Sequence, residues 1–230
     1  MSDIAEFVAT RLAALADAEK APVMAAYMKT DQPFYGVQKP DRMPVFREML
    51  KQFKATTAAQ YKKRVLALWR LPHREEQYAA IHYAMKHKPF ITSQMLPLYE
   101  RLLREGQWWD LVDPVAVDLV GAALLGDKKE VQPIIDQWLD DDDMWIRRTA
   151  LICQLKHKEK TDQRRLFRYC TKRADETEFF IRKAIGWALR QYSYAAPDAV
   201  AEYLTKKQKQ LSGLSYREGA KQLRKIGYEL

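Results

Sequence analysis

The sequences AAIHYAMKHK (Ala79–Lys88) and TALICQLKHK (Thr149–Lys158) resemble each other and begin 70 residues apart. Half of this separation relates other parts of the chain, because Trp145 and Phe180 begin similar stretches and are 35 residues apart. A repeat of this length holds two helices and two turns, which is the unit of a helical solenoid. The chain lacks the tetratricopeptide pattern W-x2-L-G-x2-Y, so the repeat predicts a HEAT-like array.

The composition also predicts an all-helical protein. The chain has 230 residues, of which 47% are hydrophobic and 30% are charged, and it contains only 8 glycines. Good helix formers recur throughout, whereas alternating β-branched runs are scarce. No boundary between domains is evident. We therefore expect one domain over residues 1–230, an all-α, right-handed solenoid of HEAT-like antiparallel helix pairs with a concave basic groove.

Polar residues mark several expected helix ends. Ser2 is expected to cap the first helix, while Asp127 and Ser215 are each followed three residues later by glutamate, as in a capping box. The acidic stretch Asp140–Asp143 precedes an apolar run, and its interpretation as a helix amino terminus is favoured over a metal site. Residues Trp108–Leu125 are predicted to form a single helix that closes on a glycine.

The charge balance predicts a polyanionic partner. Thirty-nine Lys and Arg against 30 Asp and Glu give a formal net charge of +9 and a pI of about 9.4. This is the electrostatic character expected of a nucleic-acid-binding protein, although many basic proteins bind no nucleic acid.

The two cysteines and the amino terminus indicate a cytoplasmic protein. Cys153 and Cys170 are not spaced as a CxxC pair, so we interpret them as reduced core thiols. The first residues lack the basic and apolar regions of a signal peptide, and no apolar run reaches 18 residues. We expect the protein in the cytoplasm, and at the nucleoid if its source is bacterial.

The stretch QWWDLVD (Gln107–Asp113) is the strongest candidate for a functional site. In a helix, Trp109 and Asp113 lie one turn apart on the same face. An indole face beside a carboxylate can bind a cationic, planar group. A carboxylate opposes phosphate binding in a basic chain, so we infer that it faces a positive charge that develops on a sugar during a reaction.

The 35-residue repeat places several polar residues in equivalent positions. Tyr78, Asp113, Arg148 and Lys183 follow one another at this spacing, and in a solenoid they would stack along one surface. The last three lie among apolar neighbours, where a charge is costly unless it is paired or used. The structural alternative is an Asp113–Arg148 salt bridge that only links repeats. Candidates for gripping a phosphate backbone are Arg148, Lys183, Arg182 and Arg190.

Other common sites are not indicated. The four histidines show no metal-ligand spacing, and His87 and His157 occupy equivalent repeat positions, so both are interpreted as structural. Trp69 and Trp138 are expected to fill the core. No phosphate-binding loop, dinucleotide motif or GxSxG elbow is present in the sequence.

An alkylated purine would suit a site made of indoles and one carboxylate. Alkylation at N3 or N7 gives the base a positive charge, so it leaves without a general acid. One carboxylate could then stabilise the oxocarbenium character of the sugar and guide a water, whereas ordinary glycosides need two. The indole faces would favour the cationic base or sugar.

Five blocks of the chain resemble those of the AlkD-type DNA alkylation-repair glycosylases. They are YMKT (Tyr27–Thr30), FYGVQKP (Phe34–Pro40), QWWDLVD (Gln107–Asp113), MWIRRTALICQLKHK (Met144–Lys158) and FFIRKAIGWALRQY (Phe179–Tyr192). The resemblance covers nearly the whole chain. It implies HEAT-like repeats and excision of N3- and N7-alkylpurines, including 3-methyladenine and 7-methylguanine, from double-stranded DNA, without metal or organic cofactor.

The resemblance also implies roles for individual residues. Trp109, Asp113 and Trp187 would be the catalytic-site residues, with Asp113 as the carboxylate. Arg148 would contact DNA near the lesion, and Tyr27 would support the groove. We expect the protein to act as a monomer.

Two alternatives compete with a monofunctional glycosylase. The first is a non-catalytic HEAT-like scaffold that binds DNA or a protein, because a fold does not determine function. The second is a lyase-competent glycosylase that uses a lysine such as Lys183. An unpaired acid in a basic groove would argue against a pure scaffold.

Overall fold

The computed structural model describes residues 3–230, which fold into helices and connecting turns with no β-strand. The predicted all-helical class is confirmed. Ser2, expected to cap the first helix, lies outside the described residues. The chain divides into two compact units, one ending at Ile91 and one spanning Thr92–Leu230. The single domain over residues 1–230, the HEAT-like repeats and the right-handed solenoid stay predictions.

The first unit is built from helices that surround an apolar core. They are α1 (Asp3–Ala13), α2 (Lys20–Met28), α3 (Lys39–Gln52), α4 (Ala58–Trp69) and α5 (Arg74–Lys86). A short 3-10 helix, Lys88–Phe90, follows α5. Helix α1 packs against α3 and α4, and α4 packs against α5. Helix α2 differs, because none of its residues is buried.

The FYGVQKP block is the loop that leads into α3, and α5 holds it in place. The buried carboxylate of Glu75 accepts hydrogen bonds from the backbone N–H groups of residues 35, 36 and 37, at 3.1, 2.9 and 3.0 Å. Gly36 has a φ of +84°, and a Cβ there would lie 2.2 Å from the carbonyl oxygen of Asp17. Only glycine fits both requirements. This block is therefore explained by packing and backbone hydrogen bonding.

The second unit contains the helices that carry most of the predicted site. They are α6 (Leu96–Gly106), α7 (Trp109–Pro114), α8 (Gly121–Gly126), α9 (Lys128–Trp138), α10 (Met144–Ile152), α11 (Gln163–Lys172), α12 (Phe179–Tyr192), α13 (Pro197–Lys207) and α14 (Gly213–Lys225). Short 3-10 helices cover Ser93–Met95 and Lys158–Lys160. Helix α7 packs against α10, α10 against α12, and α12 against α14. This succession brings together residues that are far apart in the sequence.

The stretch predicted as one helix, Trp108–Leu125, contains a change of helical type. Helix α7 ends at Pro114, residues Val115–Val120 form a π-helix, and α8 continues from Gly121. Proline lacks an N–H and crowds the carbonyl four residues earlier, which disturbs an α-helical ladder. The N–H of Gly121 accordingly donates to the carbonyl of Ala116, five residues back.

The predicted helix caps are confirmed at two places and wrong at a third. The carboxylate of Asp127 accepts a hydrogen bond from the backbone N–H three residues later, at 3.2 Å. The carboxylate of Asp143 caps α10 by accepting from the backbone N–H two residues later, at 2.8 Å. Ser215, however, lies inside α14, whose cap is Ser212. The hydroxyl of Ser215 instead donates to the carbonyl of Arg182 at 2.9 Å. The prediction failed because tertiary packing uses the group that local sequence assigned to a cap.

The side chains interpreted as structural are buried. They are Trp69, Trp138, His87, His157, Cys153 and Cys170. The imidazole Nε2 of His157 lies 2.9 Å from the carbonyl oxygen of Gly121, and burial lowers the pKa of this histidine. Both cysteines are free, and burial raises the pKa of Cys153 to about 12. None of the helices described in residues 3–230 is long and apolar enough to cross a membrane.

Candidate active site

A two-point ion pair joins the central residues of the predicted site. The Nε and Nη2 atoms of Arg148 donate to the Oδ1 and Oδ2 atoms of Asp113, each at 2.8 Å. The side chain of Arg148 is only 4% exposed and that of Asp113 is 14% exposed. A planar guanidinium that meets both carboxylate oxygens holds the carboxylate in one orientation.

The same arginine links three helices. It belongs to α10, whose amino terminus is capped by Asp143, and it reaches Asp113 on α7. Its Nη1 donates to the backbone carbonyl of Phe180 on α12 at 2.6 Å. Arg148 therefore uses three of its five N–H donors inside the protein. The two remaining donors belong to a side chain that is only 4% exposed.

The environment acts on the Asp113 carboxyl in two directions. Burial raises its pKa above the ordinary value, and the negative charge of Asp110 acts in the same direction. The hydrogen bonds and positive charge of Arg148 lower the pKa and oppose the effect of burial. Because arginine keeps its proton, it is the group that supports the ionised form of this carboxylate.

Three aromatic rings surround the arginine side of the pair. The ring centroids of Trp108 and Trp145 lie 5.9 Å apart, and each ring contacts Phe180, at 5.2 and 4.8 Å. The guanidinium carbon of Arg148 lies 5.8 Å from the centroid of Phe180. Sequence reasoning noted the alignment of Trp145 with Phe180 but did not assign these three rings to the site. The signal was the 35-residue spacing of the two rings.

The aromatic residues predicted to be functional lie outside this cluster. Trp109 is the first residue of α7, and Trp187 lies in α12; both are partly exposed. Within residues 3–230, the close ring–ring and cation–π contacts of the aromatic cluster do not include either indole. Tyr27 lies on α2 in the first unit and is 72% exposed. All three side chains are thus accessible in part to a ligand.

One expectation about this site is wrong. Asp113 was inferred to be an unpaired acid, and both of its oxygens accept hydrogen bonds from Arg148. The salt bridge that the structural alternative named is present, and it joins α7 to α10. The physical reason is that a carboxylate on a largely buried helix face is costly without a partner. A ligand could approach only the exposed part of the carboxylate, which is 14% of the side chain.

Three of the four aspartates before α10 form ion pairs or cap the helix. Asp140 pairs with Lys172 and Arg173, and Asp141 pairs with Arg104 at 2.6 Å. Over residues 3–230, no group of three or more His, Cys, Asp or Glu side chains is placed to hold a metal ion.

The other predicted cations of this unit do not point freely into solvent. Lys183 and Arg190 both pair with Glu218 of α14, and the Lys183 distance is 2.9 Å. The Nε of Arg182 donates to the backbone carbonyl of Glu176 at 2.9 Å. Sequence reasoning missed Glu218, although it follows Lys183 at the same 35-residue spacing that separates Asp113 from Arg148.

These features define a class of protein: a basic, all-helical chain whose second unit holds a carboxylate and an arginine as a largely buried pair beside aromatic rings. The family model described as DNA alkylation repair enzyme matches residues 8–223, which is nearly the whole chain. The chain therefore belongs to the DNA alkylation repair enzyme family.

A solved structure supports this assignment. The chain is similar to a protein described as a predicted DNA alkylation repair enzyme from Enterococcus faecalis, with 32% sequence identity and a TM-score of 0.83. The match covers 91% of this chain and 97% of the other. No curated protein matches the chain.

Proposed function

We propose that this protein is a monofunctional DNA glycosylase. It hydrolyses the N-glycosidic bond of cationic N3- and N7-alkylated purines, such as 3-methyladenine and 7-methylguanine, in duplex DNA. Membership of the DNA alkylation repair family supplies the general role, and the net charge of +9 favours a polyanionic substrate. In this proposal the protein acts as a monomer and uses neither metal nor organic cofactor.

The observation that supports the proposal most directly is the Asp113 carboxylate, which Arg148 holds through two hydrogen bonds. The pair fixes the direction of the carboxylate, while the 14% exposure of its side chain leaves an edge that a ligand can approach. A preoriented charge stabilises a transition state without the cost of reorganising at the moment of reaction.

The chemistry requires little more than this charge. An N3- or N7-alkylpurine is already cationic, so it leaves with the electrons of the glycosidic bond and needs no general acid. Positive charge then develops on the deoxyribose, and Asp113 stabilises it and orients the attacking water. The base leaves in a neutral form, and the water adds to the anomeric carbon of the sugar, where it loses a proton and becomes a new hydroxyl group.

Other residues serve positioning and binding. Trp109, one helical turn before Asp113, and Trp187 of α12 contact the lesion nucleotide through their indole faces. Arg148 positions the carboxylate and reaches the DNA only near the lesion. The phosphate backbone is bound by Lys183, Arg182 and Arg190. Tyr27, which is largely exposed on α2, makes a further contact with DNA.

The first prediction tests the carboxylate. In Asp113→Asn, release of 7-methylguanine from methylated duplex DNA should slow by about 10²–10³-fold, because a neutral amide cannot balance the charge on the sugar. Affinity for the DNA should change by less than about 3-fold, since no phosphate contact is lost. Single-turnover release of free base and a binding titration measure the two quantities.

Asp118→Asn is the matched control. Asp118 lies in the π-helix of the same unit and pairs with Lys156 at the surface, so the substitution makes the same chemical change away from the site. Its rate of base release should equal that of the unchanged protein. Equal rates for Asp113→Asn and Asp118→Asn would remove Asp113 from the mechanism.

The second candidate is a non-catalytic DNA-binding scaffold. It is favoured by the saturation of the ion pair, because both oxygens of Asp113 already have hydrogen-bond donors. Release of free alkylated base by the unchanged protein separates the two functions. A scaffold would bind methylated DNA and leave every base in place.

A further inference from the structure

Glu218 of α14 is a buried carboxylate that collects three cations. Its side chain is 7% exposed. Its Oε1 atom lies 2.9 Å from the ammonium of Lys183 and 2.5 Å from that of Lys221, and its Oε2 atom pairs with Arg190. Although burial raises the pKa of this carboxyl, the three donors lower it to about 2. Glu218 is therefore ionised whenever the protein is near neutral pH.

Close packing of α12 on α14 places these groups together. A Cβ at Gly186 would lie 2.4 Å from the Cβ of Glu218 and 2.8 Å from the carbonyl oxygen of Ser215. Glycine at this position thus allows α14 to approach the backbone of α12. Lys183 and Arg190 lie about one turn on either side of Gly186, so both reach the same carboxylate.

The charges in this group do not cancel. Three cations surround one carboxylate, which leaves a formal charge of +2 on a small surface. The side chains of Lys221, Lys183 and Arg190 are 57%, 38% and 26% exposed. Each ammonium and the guanidinium has more N–H donors than its contact with Glu218 uses. These donors and the excess charge suit a phosphodiester.

We propose that Glu218 is a positioning residue for DNA binding, and that Lys221 is a phosphate contact alongside Lys183 and Arg190. The carboxylate holds the three cations as one cluster that would otherwise separate by mutual repulsion. We call Lys183, Arg190, Lys221 and Glu218 the α12–α14 cluster. The choice of duplex DNA as its ligand rests on the proposed function.

The proposal predicts a change in DNA affinity opposite to the one that net charge alone would predict. Replacing an acid in a DNA-binding protein normally increases the attraction for phosphate, because the net charge rises by one. If Glu218 assembles the cluster, its loss weakens binding although the protein becomes more positive. The effect should also appear in the salt dependence, which counts the phosphates that the protein neutralises.

Binding of an undamaged duplex to Glu218→Gln, titrated between about 50 and 200 mM salt, tests this inference. The slope of log affinity against log salt should fall by an amount equal to about one or two phosphate contacts, and Kd at about 100 mM salt should rise by about 5-fold. Glu202→Gln is the matched control. Glu202 is an exposed residue of α13 that pairs with Lys206, and its loss adds the same charge.

Three more variants keep the test decisive if Glu218→Gln folds poorly. Lys221→Gln should lower the slope by about one contact, whereas Lys206→Gln, at an exposed lysine outside the cluster, should leave it unchanged. Glu218→Asp keeps the charge on a shorter side chain and should give a slope between those of Glu218→Gln and the unchanged protein. Circular dichroism reports whether each variant is folded.

The outcomes separate this inference from the proposed function. A lower slope in Glu218→Gln and Lys221→Gln supports the cluster, even if the unchanged protein releases no alkylated base. Tighter binding or an unchanged slope in both variants overturns it, even if the unchanged protein is an active glycosylase. Absence of duplex binding by the unchanged protein also overturns it.

Discussion

Two carboxylates of the second unit, Asp113 and Glu218, solve the same problem in different ways. Each lies on a largely buried helix face and pairs with a cation on a neighbouring helix, 35 residues away in the sequence. Asp113 has one arginine, which meets both of its oxygens. Glu218 has three cationic partners, which share its two oxygens.

The two groups differ in the net charge that remains after the ion pairs have formed. The pair of Asp113 with Arg148 has no net charge, and its two hydrogen bonds hold the carboxylate in one orientation. The α12–α14 cluster keeps a formal charge of +2 on side chains that are partly exposed. Asp113 thus provides a fixed negative group, and the α12–α14 cluster provides a positive surface. A site for a charged transition state and a site for phosphate need these opposite arrangements.

The largest expected effect comes from removing Arg148. In Arg148→Gln the largely buried carboxylate of Asp113 loses its cation, so the free energy of unfolding should fall by about 3–5 kcal/mol. The double variant with Asp113→Asn should be more stable than Arg148→Gln alone, because no uncompensated charge remains. Urea unfolding of the unchanged protein, both single variants and the double variant gives the four values.

This set also tests the interpretation of the pair as a coupled unit. If the destabilisations of Asp113→Asn and Arg148→Gln simply add in the double variant, the two side chains act independently and the proposed fixed orientation is unsupported. A double variant that regains part of the stability indicates strong coupling through the two hydrogen bonds.

A smaller effect is expected from pH at Glu218. The folded-state pKa of about 2 lies below the ordinary value of 4.5, so this group stabilises the fold above about pH 4.5. The contribution is lost as pH falls from 4.5 through 2, and its full size is about 3 kcal/mol. Urea unfolding at pH 5.5 and pH 3 should show a smaller difference between the two conditions in Glu218→Gln.

The contribution of Asp113 to the pH dependence of stability has the opposite sign. Its folded-state pKa is raised mainly by burial, so its contribution to stability is greatest below the ordinary value of 3.8 and is lost as pH rises through the folded-state pKa. Asp113→Asn should therefore make the loss of stability on acidification steeper, while Glu218→Gln makes it shallower. Equal slopes in the two variants would show that the two carboxylates do not differ in this way.

The general fold could be predicted because its causes are local or periodic. Helix-forming composition predicted the all-helical class, and the 35-residue repeat related Asp113 to Arg148 before any contact was known. The π-helix at Val115–Val120 was missed, because a proline can be tolerated in a helix and its effect on the ladder depends on neighbouring packing. The prediction of a cap at Ser215 was wrong because tertiary packing uses this hydroxyl for a hydrogen bond to the carbonyl of Arg182.

The site was predictable only in part. Periodicity states which residues occupy equivalent places, and it does not state which donor points at which acceptor. The pairing of Asp113 was therefore inferred wrongly, and Glu218 was not considered although it continues the same spacing. Its place depends on the close approach of two helices at Gly186, which no short sequence motif marks.

The smallest expected effect tests that close approach. In Gly186→Ala the new Cβ would lie 2.4 Å from the Cβ of Glu218, so α12 and α14 must move apart. The free energy of unfolding should fall by about 1–3 kcal/mol, as in other overpacked cores. If the α12–α14 cluster depends on this spacing, the salt dependence of duplex binding should also become shallower, because its cations no longer meet at one carboxylate.

Gly126→Ala is the control for glycine itself. A Cβ at Gly126, the last residue of α8, would meet no heavy atom within 4 Å, so this change should be neutral or stabilise the protein by up to about 1 kcal/mol. A weaker salt dependence in Gly186→Ala, with Asp113 and Arg148 unaltered, would tie DNA binding to α12–α14 packing and leave the neutral pair as a separate part of the site. An unchanged salt dependence would mean that the three cations bind phosphate wherever α14 lies, and the contrast between the two carboxylates would then concern stability alone.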